Sequence, residues 1–314
     1  MATRTYAPSL AGADGAITAP QGTVLVADDG RHLAATWTEP SGDACAVTVI
    51  HSATGVPRGY YRAFAQWLAG RGHAVLTYDY RGIGGSRAAG PLRHERATMQ
   101  DWATLDMSAA HDAAEARRGG RDLPLLLVGH SFGGNSLAFA RGVERADAVL
   151  GVAAQLVGPD RYPGVHRWVL RAFFNAWLPA VVGVMGHAPA WSLGGGAQPL
   201  PAGVARQWAR WGRSGDWAWS DPAMRPHSAI SSLTVPVHLW NISDDLTYAP
   251  PRAVDALAER FRNAAVQRHS VTPAELGLKQ LGHFGPFRRG PGELLWPRLL
   301  APLEAALASA RRRA

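Results

Sequence analysis

A serine between glycines is the first residue of this sequence that could carry out chemistry. Ser131 lies within residues 129–134, GHSFGG. The apolar run LLLV precedes this segment and NSLAFAR follows it, so the serine falls where a buried strand is predicted to end and a helix to begin. A turn this tight needs glycines beside the serine and projects the hydroxyl at the helix N-terminus. The pattern predicts a nucleophilic serine.

A second motif, DYRGIGGS at residues 79–86, looks like the D-x-R-G-x-G-x-S turn that follows the fourth strand of α/β-hydrolases. With GHSFGG it makes the chain resemble the α/β-hydrolase superfamily over nearly its whole length. The most similar group is that of bacterial predicted α/β-hydrolases of the serine aminopeptidase-like type. The resemblance implies the α/β-hydrolase fold, with residues 79–86 shaping a turn rather than taking part in catalysis.

A nucleophilic serine needs a base within hydrogen-bond reach, and the base needs an orienting acid. In the superfamily that the chain resembles, the acid and then the histidine follow the serine along the chain. This order points to Asp245 as the acid, with the adjacent Asp244 as an open alternative. It points to His283 as the base, in the glycine-flanked segment LGHFG, whereas His269 lies inside a strand pattern. The predicted catalytic residues are Ser131, Asp245 and His283.

Acyl transfer also needs two backbone N–H groups for the developing oxyanion. The Phe132 amide, directly after the serine, is the first predicted donor. The second is expected in the loop HSATG at residues 51–55, where Ser52 replaces the glycine of the His-Gly dipeptide common in the superfamily. Ala53 is the aligned donor, and Thr54 is the near alternative.

The elements that must position these residues alternate along most of the chain. Short apolar runs at 45–51, 74–78, 123–128, 148–156, 235–240 and 265–271 are typical of strands, and helical patterns lie between them. This alternation predicts an α/β architecture with a mostly parallel sheet and helices on both faces. We expect a core formed by residues 1–157 and 233–314.

Residues 158–232 break the alternation and are expected to form a helical cap insertion. Seven of the twelve Trp residues fall between positions 168 and 219. A cap must cover the nucleophile and shape its pocket. The aromatic residues expected to form this apolar enclosure are Trp168, Phe173, Trp177, Trp191, Trp208, Trp211, Trp217 and Trp219, with two or three of them at the pocket itself.

Composition excludes several other classes of protein. The 314 residues are 47% hydrophobic, which is ample for a large core, and the single Cys45 cannot form an intramolecular disulfide. The net charge of +8 comes from scattered arginines, with Lys279 the only lysine, so we expect no nucleic-acid binding. The sequence contains no zinc-protease, P-loop or dinucleotide motif, and we predict no metal and no cofactor.

The expected location is the cytoplasm. The first twenty residues lack the apolar core of a signal peptide, and the apolar stretch 176–185 is too short to span a bilayer.

The predicted reaction is hydrolysis of an ester, thioester or small amide, and the expected substrate is a small acyl compound. An acyltransferase with the same triad and a non-catalytic binding protein on the same scaffold are the alternatives. The oligomeric state does not follow from the sequence.

Overall fold

The computed structural model describes residues 17–120, 122–194 and 196–311. Its strands are β1 (Gln21–Val26), β2 (His32–Thr38), β3 (Ala46–His51), β4 (His73–Tyr78), β5 (Leu125–His130), β6 (Ala148–Val152), β7 (His187–Ala188), β8 (Leu200–Pro201), β9 (Val237–Ile242) and β10 (Val266–Val271). Across these residues, one sheet of eight strands has the order β1-β2-β4-β3-β5-β6-β9-β10, and β7 pairs with β8 separately.

The central sheet is parallel from β4 to β10, and only the pairs β1–β2 and β2–β4 are antiparallel. Strands β3, β4, β5 and β6 are buried along their whole length, as expected for strands covered on both faces. The predicted α/β class is therefore confirmed. The run 148–156, predicted as one strand, ends at Val152 because Ala153 adopts a φ of 50° and turns the chain away.

The helices cover both faces of this sheet. They are α1 (Arg62–Ala69), α2 (Met99–Asp101), a π-helical turn (Trp102–Asp106), α3 (Met107–Arg118), α4 (Phe132–Ser136), α5 (His166–Ala172), a second π-helical turn (Phe173–Trp177), α6 (Leu178–Met185), α7 (Ala202–Ser214), α8 (Pro251–Ala258) and α9 (Trp296–Arg311). Helix α4 is shorter than the pattern 132–141 predicts, because the chain tightens into a 3-10 turn at Leu137–Phe139.

The alternation of side chains along β5 shows how the two faces are filled. Leu125 and Leu127 pack in a core cluster with residues of α2, α3 and α8. Leu126 and Val128 point the other way, into a cluster with residues of α1 and α9. This period of two is what a strand buried on both sides requires.

Residues 158–232, here named the cap segment, form the connection between β6 and β9 and contain α5, α6 and α7. Phe174, Leu178, Trp211 and Trp217 of this segment belong to the same core cluster as one face of the sheet. The large apolar side chains on the outer surface of the segment include Trp168, Trp177 and Trp191, which are exposed. Two other tryptophans of the segment, Trp208 and Trp217, line the cavity described below.

One helix of the cap segment is longer than the apolar stretch 176–185, which by itself is too short to span a bilayer. The stretch 176–185 is the end of a continuous helix, His166–Met185, of 20 residues with a mean hydropathy of 1.4. By length and composition alone this helix could cross a membrane. In the structure its Phe174, Leu178 and Val182 pack into the core cluster, so one side of it is part of the folded domain.

Candidate active site

Ser131 lies at a strained turn between β5 and α4. Its φ of 53° and ψ of −115° fall in a backbone region that residues other than glycine rarely adopt, at a cost of about 1–3 kcal/mol. The flanking glycines make the turn possible, because a Cβ at Gly129 would overlap Gly134 and a Cβ at Gly133 would overlap the carbonyl group of His51. The sequence therefore folds here into the nucleophile elbow that the glycine pattern predicts.

The loops after β9 and β10 bring an acid to a histidine. Asp245 follows β9 and His283 follows β10, and the Nδ1 of His283 lies 2.5 Å from the Oδ2 of Asp245. Both side chains are buried. The other oxygen of Asp245 accepts the Tyr248 amide at 3.1 Å, which holds the carboxylate in place.

Asp244, the open alternative, has a different set of partners. Its two carboxylate oxygens accept the backbone N–H groups of Leu281 and Gly282, each at 2.9 Å. These bonds fasten the loop that carries His283 to the end of β9. Asp244 thus contacts the backbone beside the histidine, while Asp245 contacts its imidazole ring.

Ser131 and His283 line one cavity at the carboxyl ends of the strands. Because Nδ1 of His283 is engaged with Asp245, Nε2 is the ring nitrogen that remains for a proton from the serine. Among the described residues, no hydrogen bond holds the Ser131 hydroxyl, and such bonds are often longer before substrate binds. The sheet order explains the meeting, because β5, β6, β9 and β10 are adjacent and their carboxyl ends share one edge.

The loop after β3, which holds both predicted candidates for the second oxyanion donor, reaches the same cavity. Ala53 and Thr54 both line the cavity. The Ala53 N–H donates to the hydroxyl group of Tyr61 at 2.9 Å and is therefore already occupied. Within the described chain, the Thr54 amide donates no such bond. Phe132 is the first residue of α4, so its N–H has no partner within the helix.

A buried chain of hydrogen bonds joins this loop to the histidine loop. The Tyr61 hydroxyl, which accepts from Ala53, lies 2.8 Å from Nδ1 of His130, and Nε2 of His130 lies 3.0 Å from the carbonyl oxygen of His283. Burial and the nearby His283 hold the pKa of His130 well below its ordinary value, so this ring is neutral. A neutral ring carries one N–H, and that N–H satisfies the His283 carbonyl if Tyr61 donates to Nδ1.

The turn at residues 79–86 is built around Asp79. Its carboxylate accepts the N–H groups of Arg58 and Gly85, at 2.6 and 2.8 Å, and pairs with the Arg58 guanidinium. The Gly84 amide donates to Gln198 of the cap segment at 2.8 Å. These contacts shape a turn, as the sequence motif predicts, and they also attach the cap segment to it.

The cavity has a volume of about 50 Å³ and a mostly apolar wall. Its apolar lining is contributed chiefly by Leu193, Leu200, Trp208, Trp217 and Phe284. Two of the seven tryptophans of the cap segment therefore reach the cavity. This volume is small beside the roughly 300–1,000 Å³ of drug-sized ligand sites, so the site in this state accommodates only a small group.

Several residues of this site were missed by sequence reasoning, among them three polar ones. Tyr61 lies in a segment with helical apolar spacing and reads as a core residue. It does not line the cavity but accepts the Ala53 N–H, whereas Tyr248 and Gln155 line the cavity itself. The only available signal was Gln155 itself, a long polar side chain inside the apolar run 148–156.

Comparison with known proteins gives a family and a fold. The profile of the family Hydrolase_4, described as serine aminopeptidase, S33, matches residues 43–210, more than half of the chain. Monoglyceride lipase of the mouse, Mus musculus, is 28% identical over 110 residues. That match covers 35% of this chain and 34% of the lipase, so the chain spans about a third of the curated relative.

Solved structures agree over a much longer range. A soluble variant of monoglyceride lipase from Saccharomyces cerevisiae superposes with a TM-score of 0.63 at 12% identity, covering 92% of this chain and 95% of that one. An esterase from Thermogutta terrifontis gives 0.53 at 16% identity, covering 91% and 99%. At such identities these likenesses show the α/β-hydrolase fold. Together with the profile match they establish that this chain belongs to the serine aminopeptidase S33 family of α/β-hydrolases.

Proposed function

We propose that this α/β-hydrolase is a serine hydrolase that cleaves a carboxylic ester, with thioesters and small amides as further substrates of the same chemistry. The observation that carries the proposal is one cavity lined by a serine at a nucleophile elbow and by a histidine in contact with a buried carboxylate. Relatives named as esterases and monoglyceride lipases support the choice of an ester.

In the proposed reaction, the Ser131 Oγ attacks the carbonyl carbon while its proton passes to Nε2 of His283. Asp245 holds the Nδ1–H tautomer and stabilises the imidazolium. The carbonyl π electrons move onto oxygen, and the oxyanion accepts hydrogen bonds from the backbone N–H groups of Phe132 and Thr54. Thr54 takes the place predicted for Ala53, whose N–H is held by Tyr61.

Collapse of the tetrahedral intermediate breaks the bond to the alcohol, which leaves with the proton from His283. The product is an acyl-enzyme on Ser131. A water molecule then gives a proton to His283 and attacks the acyl carbon, and the proton returns to Ser131 as the acid departs. The chain itself supplies every catalytic group that these reaction steps require, and no cofactor takes part in them.

The test combines a fluorophosphonate probe with an ester series. The wild-type protein should be labelled on Ser131, and the Ser131→Ala variant should lose both the label and esterase turnover. With 4-nitrophenyl esters, kcat/KM should be highest for acyl groups of two to four carbons, because the cavity is small. Full turnover by Ser131→Ala would refute the nucleophile, and a maximum at long acyl chains would refute the closed cavity as the acyl site.

Two further arms separate the related activities. Aminoacyl anilides test for the peptidase activity that the family description names, and we expect the ester to be hydrolysed faster. An added primary alcohol tests for acyl transfer, which would give a new ester in place of the free acid. A small acyl compound as the binding partner, and a cytoplasmic location, are proposed from the sequence, and cell fractionation tests the location.

A further inference from the structure

Gln155 is a buried polar residue of the cavity wall that has no role in the proposed reaction. It follows β6, two residues beyond the turn at Ala153, and is only 7% exposed. Its backbone carbonyl accepts the side-chain amide of Asn135 at 3.0 Å. This bond ties it to the helix that begins beside Ser131, and both residues line the cavity.

The side-chain carbonyl of Gln155 is buried without a donor. Its Oε1 accepts no hydrogen bond from any residue that the structure describes. A buried acceptor left unpaired destabilises a fold, so protein interiors pair nearly all of them. The side-chain carbonyls of two other glutamines do have donors. Gln207, which is 8% exposed, accepts the backbone N–H of Gln100 at 2.8 Å, and Gln198 accepts the backbone N–H of Gly84 at 2.8 Å.

The other residues that line the cavity with Gln155 are mostly apolar. Leu193, Leu200 and Trp208 contribute carbon surface, and the indole N–H of Trp217 is turned to Ser136 at 3.4 Å. A buried, unpaired acceptor in a mostly apolar wall fits a ligand that is mainly apolar and carries a hydrogen-bond donor. A site of this kind also rejects ligands that lack the donor, because they leave the buried acceptor unpaired.

We propose that Gln155 is a specificity-determining residue that accepts a hydrogen bond from a hydroxyl or amide N–H of the substrate. This inference rests on the proposed function. It narrows the substrate class from small esters in general to esters that carry a hydrogen-bond donor within a few atoms of the scissile carbonyl. Gln155 takes no part in bond making or breaking, and its contribution is to substrate choice.

The experiment compares esters that differ only by one hydroxyl group. One pair varies the acid (4-nitrophenyl butyrate and 4-nitrophenyl 3-hydroxybutyrate), and the other varies the alcohol (propyl butyrate and 3-hydroxypropyl butyrate). In at least one pair the wild-type kcat/KM should favour the hydroxylated ester by about tenfold to a hundredfold. Gln155→Met should lower that ratio at least tenfold.

Thermal unfolding separates this role from a structural one, with Gln207→Met as the matched control. Replacing Gln155 removes an unpaired acceptor, so the melting temperature of Gln155→Met should equal or exceed that of the wild type. Replacing Gln207 leaves the backbone N–H of Gln100 without its acceptor. Gln207→Met should therefore have a lower melting temperature than the wild type but the same ester preference.

Three results would overturn the inference: a wild-type preference for the plain ester in both pairs, the same ratio in wild type and Gln155→Met, or a Gln155→Met variant that melts several degrees lower. A failure of the proposed function looks different. A wild-type protein that hydrolysed none of the four esters and took no fluorophosphonate label would refute the hydrolase itself, and the assignment of Gln155 with it.

Discussion

Two adjacent carboxylates with different partners allow the proposed triad to be tested by a matched pair of variants. Asp245 contacts the imidazole of His283 at 2.5 Å, whereas Asp244 accepts two backbone N–H groups of the histidine loop at 2.9 Å. Asp245→Asn and Asp244→Asn make the same chemical change one residue apart. They differ in which contact they remove.

The two variants should lose similar amounts of stability. Each aspartate accepts two hydrogen bonds, because Asp245 also accepts the Tyr248 amide. Asparagine keeps one acceptor oxygen, so each variant gives up one charge-assisted bond, worth about 1.5–3 kcal/mol. In a domain of this size that lowers the melting temperature by several degrees. Unfolding measurements should therefore place the two variants close together.

Their activities should differ by orders of magnitude. Asn at position 245 neither holds the required tautomer of His283 nor stabilises its positive charge, and the corresponding change in a serine protease triad costs about 10⁴ in kcat. We expect a loss of about 10³–10⁴-fold, which is about 4–5.5 kcal/mol of transition-state stabilisation. Asp244→Asn leaves the contact between Asp245 and the imidazole and should lose no more than about tenfold.

The assay is kcat for 4-nitrophenyl acetate, with urea unfolding of each variant to confirm that it is folded. Asp245→Asn within tenfold of wild type would refute the role of Asp245. A loss for Asp244→Asn equal to that for Asp245→Asn would refute the argument that contact with the imidazole, rather than anchoring of its loop, determines the rate.

Three further predictions follow from buried groups near the site. Gly133→Ala should fold poorly and lose activity, because its methyl group would overlap the backbone of His51; soluble yield and esterase turnover test this, and a stable active variant would contradict the packing. Tyr61→Phe leaves the Ala53 amide unpaired and should lower the unfolding free energy by about 1–3 kcal/mol, while an unchanged melting temperature would show that the hydroxyl is not needed. Burial lowers the pKa of His73 from its ordinary 6.5 to about 4, so the unfolded chain binds a proton between these values that the folded chain does not. The stability that this difference provides is present above pH 6.5 and is lost as the pH falls towards 4. For this residue alone the loss of unfolding free energy is about 2 kcal/mol between pH 7 and pH 5. His73→Asn should therefore make the unfolding free energy, measured in urea, depend less on pH.

The sequence by itself determined the fold and the order of the candidate groups. Local patterns carry this information, because a buried parallel strand must be a short apolar run and a strained turn must have glycines beside its serine. The same patterns placed Ser131 at a strand end, and the resemblance to α/β-hydrolases pointed to Asp245 and His283 in later loops. The sequence favoured Asp245 but left Asp244 open as the alternative, since adjacent residues in one loop share the same local signal.

Only the tertiary structure decided which of these groups touch. The carboxylate that reaches the imidazole, the Tyr61 hydroxyl that occupies the Ala53 amide and the unpaired carbonyl of Gln155 all depend on side chains from segments far apart in the chain. The cap segment shows the same limit. Its tryptophans are alike in sequence, yet Trp217 lines the cavity and Trp168 faces outward, because the sheet and helices that they pack against decide which side is buried.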